Sequence, residues 1–370
     1  MPDLKTIWLD PQDSSTVWII DQRALPHDLV HEPLKTTAQA AAAIKEMHVR
    51  GAPLIGATAA WGLYLAMLEY QGAVDFDNYL DQVIDQLQNT RPTAVDLFNA
   101  LEASKLRIRA AAPHDRVSVA RQAAEDFAIA SAAQCRAIGE HGLEILQDIA
   151  ATKPGETINI LTHCNAGKLA CIDYGTATAP IYLAHEKGLP VHVWVDETRP
   201  RNQGARLTAY ELAAAGIPHT VIVDNLGGHL MQHGMVDVVF VGTDRTTREG
   251  DVANKIGTYL KALAAHDNGV PFYVGLPTST IDWTIRDGLR EIPIEERGGD
   301  EVTHIQGKLN DKSQWVQLTP DASPGLNYGF DVTPARLVTG LITERGICAA
   351  SEEGLLGLFP EGGSALQHKD

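Results

Sequence analysis

Cys164 and Asp244 are the residues whose positions best suit acid–base chemistry, because each follows a short, mostly apolar run. Residues 158–161 lead into Cys164, and a helical segment begins soon afterwards at Lys168. A helix start favours the thiolate form of cysteine, which predicts a reactive thiol. Residues 238–241 lead in the same way to Asp244, and a carboxyl group at a partly buried strand end can act as a general acid or base.

Both residues also have a simpler interpretation. An isolated cysteine is commonly a small buried apolar side chain, although polar residues flank Cys164. Asp244 would more commonly pair with Arg245 or cap the next turn. His163 precedes the cysteine, but neighbours on an extended strand point to opposite faces, so the sequence predicts no Cys–His pair.

Arg50 and Arg91 each stand directly before a predicted helix. Free backbone N–H groups and the positive end of the dipole make a helix start attractive to anions, and a guanidinium adds a bidentate charge. Gly51 and Ala52 follow the first arginine, and a glycine there would let the backbone approach an anion closely. A single instance is more simply a surface arginine, but the repeated arrangement predicts a phosphate site.

Three further polar residues are candidate ligand contacts. Gln203 precedes a helical segment over residues 205–215, and Asn254 and Lys255 enter another over 253–265. Amide and ammonium donors at such positions would hold hydroxyl and phosphate groups of a ligand.

The strands and helices that must position these residues are predicted to form an open α/β sheet. Apolar runs at 158–161, 191–195, 221–223, 238–241 and 272–274 alternate with helical segments, which predicts buried parallel strands. Ligands bind just beyond the carboxyl ends of such strands, so the sequence favours an enzyme or a small-ligand site. Residues 292–329 predict a long loop, and residues 335–345 predict a capped helix.

The preceding 150 residues have a different pattern. Short strands at Trp8 and residues 17–20 predict a small antiparallel sheet, and helices are predicted at 36–48, 54–70, 76–88, 94–112 and 117–150. A Lys-Pro-Gly-Glu break at 153–156 separates the two patterns. We therefore expect a mostly helical N-terminal domain over 1–150 and a Rossmann-like parallel α/β domain over 151–370.

Composition excludes several classes of function. The net charge of −17 over 370 residues opposes nucleic acid as a partner, and no motif indicates a dinucleotide, a P-loop nucleotide or zinc, so no cofactor and no metal are expected. The apolar stretch 54–68 is too short for a membrane helix and predicts a buried core helix. Four cysteines make no disulfide framework, and the cytoplasm is the expected compartment.

Five motifs in order resemble the methylthioribose-1-phosphate isomerase family, which is related to the regulatory subunits of translation initiation factor 2B. The resemblance covers residues 16–346, and its motifs are Arg50-Gly51-Ala52-Pro53, Thr162-His163-Cys164-Asn165-Ala166-Gly167, Asp196-Glu197-Thr198-Arg199-Pro200, Gln203-Gly204-Ala205-Arg206-Leu207-Thr208 and Gly250-Asp251-Val252-Ala253-Asn254-Lys255-Ile256-Gly257-Thr258.

The resemblance implies a homodimer that converts 5-methylthioribose 1-phosphate to 5-methylthioribulose 1-phosphate in methionine salvage, without metal or nucleotide. It implies catalytic roles for Cys164 and Asp244. The residues implied to hold the substrate are Arg50, Gly51, Ala52, Arg91, Gln203, Asn254 and Lys255. Two alternatives stay open: isomerisation of 5-deoxyribose 1-phosphate or ribose 1,5-bisphosphate, and a non-catalytic regulatory subunit that would need neither Cys164 nor Asp244.

Overall fold

A computed structural model describes residues 4–72, 74–91 and 95–364. The N-terminal part of these residues forms a small antiparallel sheet followed by helices. In chain order they are β1 (Ile7–Leu9), β2 (Val17–Ile20), β3 (His31–Leu34), α1 (Thr37–Lys45), α2 (Ala52–Glu69), α3 (Phe76–Gln88), α4 (Val95–Ala110) and α5 (Arg116–Thr152). The predicted helices are confirmed to within a few residues, whereas β3 was not predicted. Pro92, Thr93 and Ala94, before the predicted fourth helix, lie outside the described residues.

Helix α2 is the centre of the N-terminal core. It is apolar around its whole circumference, which is typical of a helix packed on all sides, and it contacts α1, α4 and α5. Its 18 residues are long and apolar enough to cross a membrane by length and composition, but 89% of them are buried within the protein. The predicted core helix is therefore confirmed, and it spans Ala52–Glu69 where residues 54–70 were predicted.

Asp96 is a carboxylate buried in this helical core, with 1% of its surface exposed. Burial raises its pKa from 3.8 to about 6. The unfolded chain therefore releases this proton at a lower pH than the folded chain, and stability falls as pH rises through that window.

We expect Asp96→Asn to raise the free energy of unfolding by up to ~3 kcal/mol at about pH 8, and to have little effect near about pH 4. Urea unfolding of both proteins at the two pH values measures this. The matched control is Asp148→Asn, on the exposed face of α5. If Asp96→Asn changed the free energy of unfolding equally at both pH values, the raised pKa of Asp96 in the folded protein would be contradicted.

Helix α5, with 37 residues, connects the N-terminal helices to the second half of the chain. It packs against α2 on one side and against the later strands and helices on the other. The apolar core of the N-terminal part ends within the first third of α5, at Ala124, and separate apolar clusters begin at Cys135 and Ile138. The division of the chain into domains at residue 150 stays a prediction.

The second half contains the remaining elements. They are β4 (Ile158–Thr162), α6 (Lys168–Cys171), α7 (Ala179–Glu186), β5 (Val191–Asp196), α8 (Ala209–Ala214), β6 (His219–Ile222), α9 (Leu226–Gln232), β7 (Val238–Val241), β8 (Arg245–Thr247), β9 (Val252–Lys255), α10 (Thr258–Asp267), β10 (Phe272–Gly275), β11 (Ile281–Asp282), α11 (Gly288–Glu291), α12 (Asp300–Thr303), β12 (His304–Leu309), β13 (Lys312–Gln317), β14 (Phe330–Thr333), β15 (Gly340–Thr343), β16 (Gly346–Cys348), α13 (Glu352–Leu358) and α14 (Glu361–Ser364).

Seven of these strands form a sheet in the order β16-β15-β10-β7-β4-β5-β6. All neighbouring pairs are parallel except β15–β16. The predicted parallel α/β sheet is thus confirmed, and its strand order is that of a Rossmann fold. The order reverses between β4 and β7, and in such sheets ligands bind at that reversal. A second sheet has the strand order β11-β8-β9-β14, and all four of its strands follow β7 in the sequence.

Two sequence predictions in this half were wrong. Residues 335–345 form a short 3₁₀ turn and then β15, because the apolar residues Leu341 and Ile342 pair with β10 inside the sheet. Residues 292–329 contain α12 and the hairpin β12–β13 rather than an unbroken loop. Every residue of β13 is exposed, so no apolar alternation marked that strand in the sequence.

Candidate functional site

A cavity lies where the N-terminal helices meet the carboxyl ends of β4 and β7. Eight of the nine residues predicted for the site line this cavity: Arg50, Gly51, Ala52, Arg91, Cys164, Gln203, Asp244 and Lys255. Met47, Ile55 and Phe330 complete the lining and were not predicted.

Asn254 is the exception among the predicted residues. Asn254 and Lys255 end strand β9 instead of entering a helix, and α10 begins only at Thr258. Consecutive strand residues point to opposite faces, so Lys255 lines the cavity while the Asn254 amide donates to Thr258 Oγ1 at 3.0 Å. The prediction of a helix at residue 253 was wrong because β9 pairs with β14.

The backbone at Cys164 is held in an unusual conformation. Its φ is 65°, in the left-handed region that costs a non-glycine residue roughly 1–3 kcal/mol. Two threonine hydroxyls fix it: Thr198 Oγ1 accepts from the Cys164 N–H at 2.8 Å, and Thr208 Oγ1 donates to its carbonyl at 2.7 Å. Strain that is held in this way commonly marks a functional residue.

The charge next to the thiol comes from Arg50 rather than from a helix. Helix α6 has only four residues, so the predicted helix terminus is weak. Arg50 instead places Nη2 3.5 Å from Cys164 Sγ, and its Nη1 donates to Asn165 Oδ1 at 2.9 Å. Gly51, which precedes α2, fits closely against α6, because a Cβ there would lie 2.4 Å from the Ala170 carbonyl oxygen.

Asp244 lies beyond β7, and its N–H donates to the Ala253 carbonyl at 3.0 Å. Burial raises the pKa of its carboxyl group, although the charges of Lys255, Arg50 and Arg91 oppose this effect. Arg245 Nη1 lies 3.3 Å from Asp282 Oδ2. Asp282 is thus a carboxylate partner of Arg245, and Asp244 points into the cavity.

Lys255 and Arg91 supply further positive charge. Lys255 Nζ donates to the Gly329 carbonyl at 2.8 Å and lies 4.4 Å from the centre of the Phe330 ring. Burial lowers the pKa of Lys255, and the charges of Cys164 and Asp244 oppose that effect. Arg91 Nη2 is 3.7 Å from Glu295 Oε2, and burial lowers its pKa too.

Several buried polar atoms at the cavity have no hydrogen-bond partner among the described residues. They are Arg50 Nε, Arg91 Nε and Nη1, and Gln203 Oε1. Buried polar groups are nearly always hydrogen-bonded, so such atoms indicate a place where a ligand supplies the partner. Three cations face one carboxylate here in a chain of net charge −17, an arrangement that suits an anionic ligand.

Sequence reasoning missed the residues that hold this site in place. The buried carboxylate of Glu211 accepts from Asn165 Nδ2 at 2.9 Å and from the N–H groups of Lys168 and Leu169 at 2.8 and 3.1 Å. It thereby turns Asn165 Oδ1 toward Arg50. Glu211 lies 46 residues from Asn165 inside a helical segment, where nothing in the sequence distinguishes it.

His163 lies behind the cavity, consistent with the prediction that it does not pair with Cys164. Its Nδ1 is 3.0 Å from Asp196 Oδ2, and its Nε2 is 2.8 Å from the Ile256 carbonyl. Lys261 Nζ lies 2.9 Å from the same Asp196 oxygen. Two basic side chains thus surround one buried carboxylate beneath the strand ends.

The chain matches known proteins along most of its length. A sequence model of the initiation factor 2 subunit family matches residues 48–350. The methylthioribose-1-phosphate isomerase of Rhizobium meliloti (strain 1021) is 61% identical over 358 residues, which are 96% of this chain and 97% of that protein. The protein of the same name from Rhodospirillum rubrum is 58% identical over 363 residues, 96% of this chain and 92% of that protein.

Two crystal structures are similar over nearly the whole fold. 5-Methylthioribose 1-phosphate isomerase from Pyrococcus horikoshii OT3 has a TM-score of 0.82 at 37% identity, covering 96% of each chain. Translation initiation factor eIF-2B, subunit delta, from A. fulgidus has a TM-score of 0.78 at 36% identity, covering 97% of this chain and 99% of that chain. By these identities and coverages, the chain belongs to the methylthioribose-1-phosphate isomerase family, within the initiation factor 2 subunit family.

Proposed function

We propose that this chain is an aldose–ketose isomerase that converts 5-methylthioribose 1-phosphate to 5-methylthioribulose 1-phosphate in methionine salvage. The observation that carries the proposal is that Cys164 and Asp244 line one cavity together with three cations. Family membership supports the substrate, since relatives of that name match almost end to end. The reaction only moves hydrogen within one molecule, so it needs no external oxidant or reductant.

Asp244 is the proposed acid that opens the sugar ring. A sugar with phosphate on its anomeric oxygen cannot open to a free aldehyde, so the ring oxygen must be protonated first. A carboxyl group does this only while it holds its proton, and burial raises the pKa of Asp244 in that direction. In this proposal Lys255 and the two arginines hold the phosphate.

Cys164 is the proposed residue for the second step, in which hydrogen passes from C2 to C1. Its thiolate could take the hydrogen as a proton, or its side chain could line the path of a direct hydride shift. Reaction in deuterated water distinguishes these routes, because a proton removed by Cys164 exchanges with solvent whereas a shifted hydride does not.

The test of the function is incubation with each of three substrates: 5-methylthioribose 1-phosphate, 5-deoxyribose 1-phosphate and ribose 1,5-bisphosphate. We expect ketose formation from the first. A regulatory subunit would bind a sugar phosphate or nucleotide without turnover, and would have no use for Cys164 or Asp244. Absence of ketose from all three substrates would favour that alternative.

We propose that Arg50 and Arg91 bind the phosphate, with Gly51, Ala52, Gln203 and Lys255 as further contacts. Replacing Arg91 with lysine removes bidentate geometry, and we expect KM to rise about 10- to 100-fold with a smaller change in kcat. Arg50→Lys should affect KM and kcat together, because Arg50 also contacts Cys164.

Steady-state kinetics of the two variants measure these effects. Arg109→Lys is the control, since Arg109 pairs with Asp77 and Asp81 at an exposed site. Unchanged KM in both variants would remove the phosphate assignment. Asn254 has an indirect role in this proposal, because its amide holds Thr258 at the start of α10.

We also propose a homodimer in the cytoplasm. The hairpin β12–β13 exposes Leu309, Trp315 and Val316, each to at least 50%, and a second copy of the chain would cover such a surface. All four cysteines are free thiols, as is typical of a reducing compartment. Light scattering of the purified protein measures the oligomeric state.

A further inference from the structure

The strand that leads to Cys164 and the strand that carries Lys255 belong to different sheets. β4 lies in the seven-stranded sheet, whereas β9 lies in the four-stranded one. Both side chains line the same cavity, and the charge of Cys164 opposes the lowering of the Lys255 pKa by burial, so the two groups lie close together. Contacts between the sheets must therefore set how the thiol and the ammonium face each other. One such contact is the Asp244 N–H bond to the Ala253 carbonyl, two residues before Lys255.

His163 makes a second contact between the sheets. It stands directly before Cys164, and its Nε2 lies 2.8 Å from the carbonyl of Ile256, the residue directly after Lys255. A carbonyl oxygen can only accept, so the ring donates from Nε2. His163 thus joins the two chain segments immediately beside the thiol and the ammonium.

The imidazole is held from behind by a buried ion pair. Its Nδ1 lies 3.0 Å from Asp196 Oδ2, and Lys261 Nζ lies 2.9 Å from the same oxygen. All three side chains are buried, with at most 4% exposed. Gly257 follows Ile256 with a φ of 101°, and a Cβ there would lie 3.1 Å from Cε1 of the ring. Turning the ring would break both of its contacts in a buried place, which is costly.

We propose that His163 is a positioning residue of the isomerase site, because its bond to the Ile256 carbonyl holds Lys255 beside Cys164. This inference rests on the proposed function, in which Lys255 holds the phosphate and Cys164 acts on the hydrogen that moves. His163 is absent from the lining of the cavity, so it acts through the backbone that carries these two side chains. A misplacement of about 1 Å in such a site can cost about 10²-fold in rate.

Two substitutions separate this bond from the rest of the ring. In His163→Gln the amide nitrogen reaches as far along the side chain as Nε2 and still donates to Ile256, whereas in His163→Asn it reaches only as far as Nδ1. We expect kcat/KM to fall about 10- to 100-fold in His163→Asn and less than about threefold in His163→Gln. Thermal unfolding of both variants shows whether each is folded.

Lys255→Met, which keeps the length of the side chain without its charge, provides the decisive comparison. Once the ammonium is gone, its misplacement has no further effect. The double variant of His163→Asn with Lys255→Met should therefore have the kcat/KM of Lys255→Met within about twofold. Asp237→Asn is the matched control, because Asp237 pairs with Lys153 at 2.8 Å and precedes β7 at the amino end of the sheet. It should lower Tm without lowering kcat/KM, with or without Lys255→Met.

Alkylation of Cys164 by iodoacetamide in the absence of substrate gives the same comparison without turnover. A nearby ammonium favours the thiolate, so the rate should fall in Lys255→Met and in His163→Asn, and no further in the double variant. Effects of His163→Asn and Lys255→Met that multiplied in either measurement would overturn the inference, as would a loss in His163→Gln equal to that in His163→Asn. If the parental protein formed no ketose, the proposed function would fail, and the alkylation rates would decide the role of His163.

Discussion

Cys164→Ser is expected to lose about 10²- to 10⁴-fold in kcat while folding normally, the range for removal of a positioned proton-transfer group. Serine is close to cysteine in size and keeps both backbone hydrogen bonds to Thr198 and Thr208. It holds its proton far more tightly, so it tests the thiol rather than the shape. A Cys164→Ser enzyme with near-parental kcat would reduce the cysteine to a packing role.

Alkylation provides an independent test of the same thiol. Cys164 is the cysteine that lines the cavity. A hydrogen bond with Cys171 and burial raise the pKa of Cys135, and burial raises the pKa of Cys348 to about 11. We therefore expect iodoacetamide near neutral pH to inactivate the enzyme by labelling Cys164, with substrate protecting it.

Peptide mapping during inactivation measures which thiol is labelled. Cys348→Ser is the control variant, and it should inactivate at the parental rate. Loss of activity that followed labelling of Cys135 or Cys348 instead would contradict the assignment.

The placement of Cys164 and Asp244 could be predicted because parallel strands share one carboxyl edge. Both residues follow β-branched runs, and a run of that kind has few alternatives to a buried strand. The strand after Pro334 could not be predicted in the same way. Thr333, Pro334 and Gly346 match the signals for the start and end of a helix, so the sequence predicts one. The segment instead contains strand β15, because its residues pair with β10 inside the sheet.

The arginines and their supports show where residue types alone are insufficient. Arg50 and Arg91 suggested an anion site, but their docking against strand ends more than 70 residues away depends on how α2 packs on α6. Glu211 and Glu295 orient the site through contacts that have no local signature. Asn254 stays a predicted contact, although it lies one residue before Lys255 on β9 and its amide donates to Thr258.

Asp244→Asn is expected to slow ring opening severely, with a loss of about 10²- to 10⁴-fold in kcat and nearly unchanged binding of the product. An amide has the shape of a carboxyl group but cannot transfer a proton usefully to the ring oxygen. Arg50, Arg91 and Lys255 remain to hold the phosphate, so titration calorimetry with 5-methylthioribulose 1-phosphate should give a Kd close to the parental value.

The pH dependence of kcat/KM tests whether Asp244 acts as a proton donor. Burial raises the pKa of Asp244, so the proton that it donates is retained to higher pH than in an ordinary aspartate. In the parental enzyme kcat/KM should therefore fall as pH rises through that pKa, and the small residual activity of Asp244→Asn should lack this limb. Asp282→Asn is the control, because Asp282 is a partner of Arg245 and lies outside the lining of the cavity. If Asp282→Asn lost as much activity as Asp244→Asn, the two carboxylates would act through Arg245, and the acid would have to be sought elsewhere.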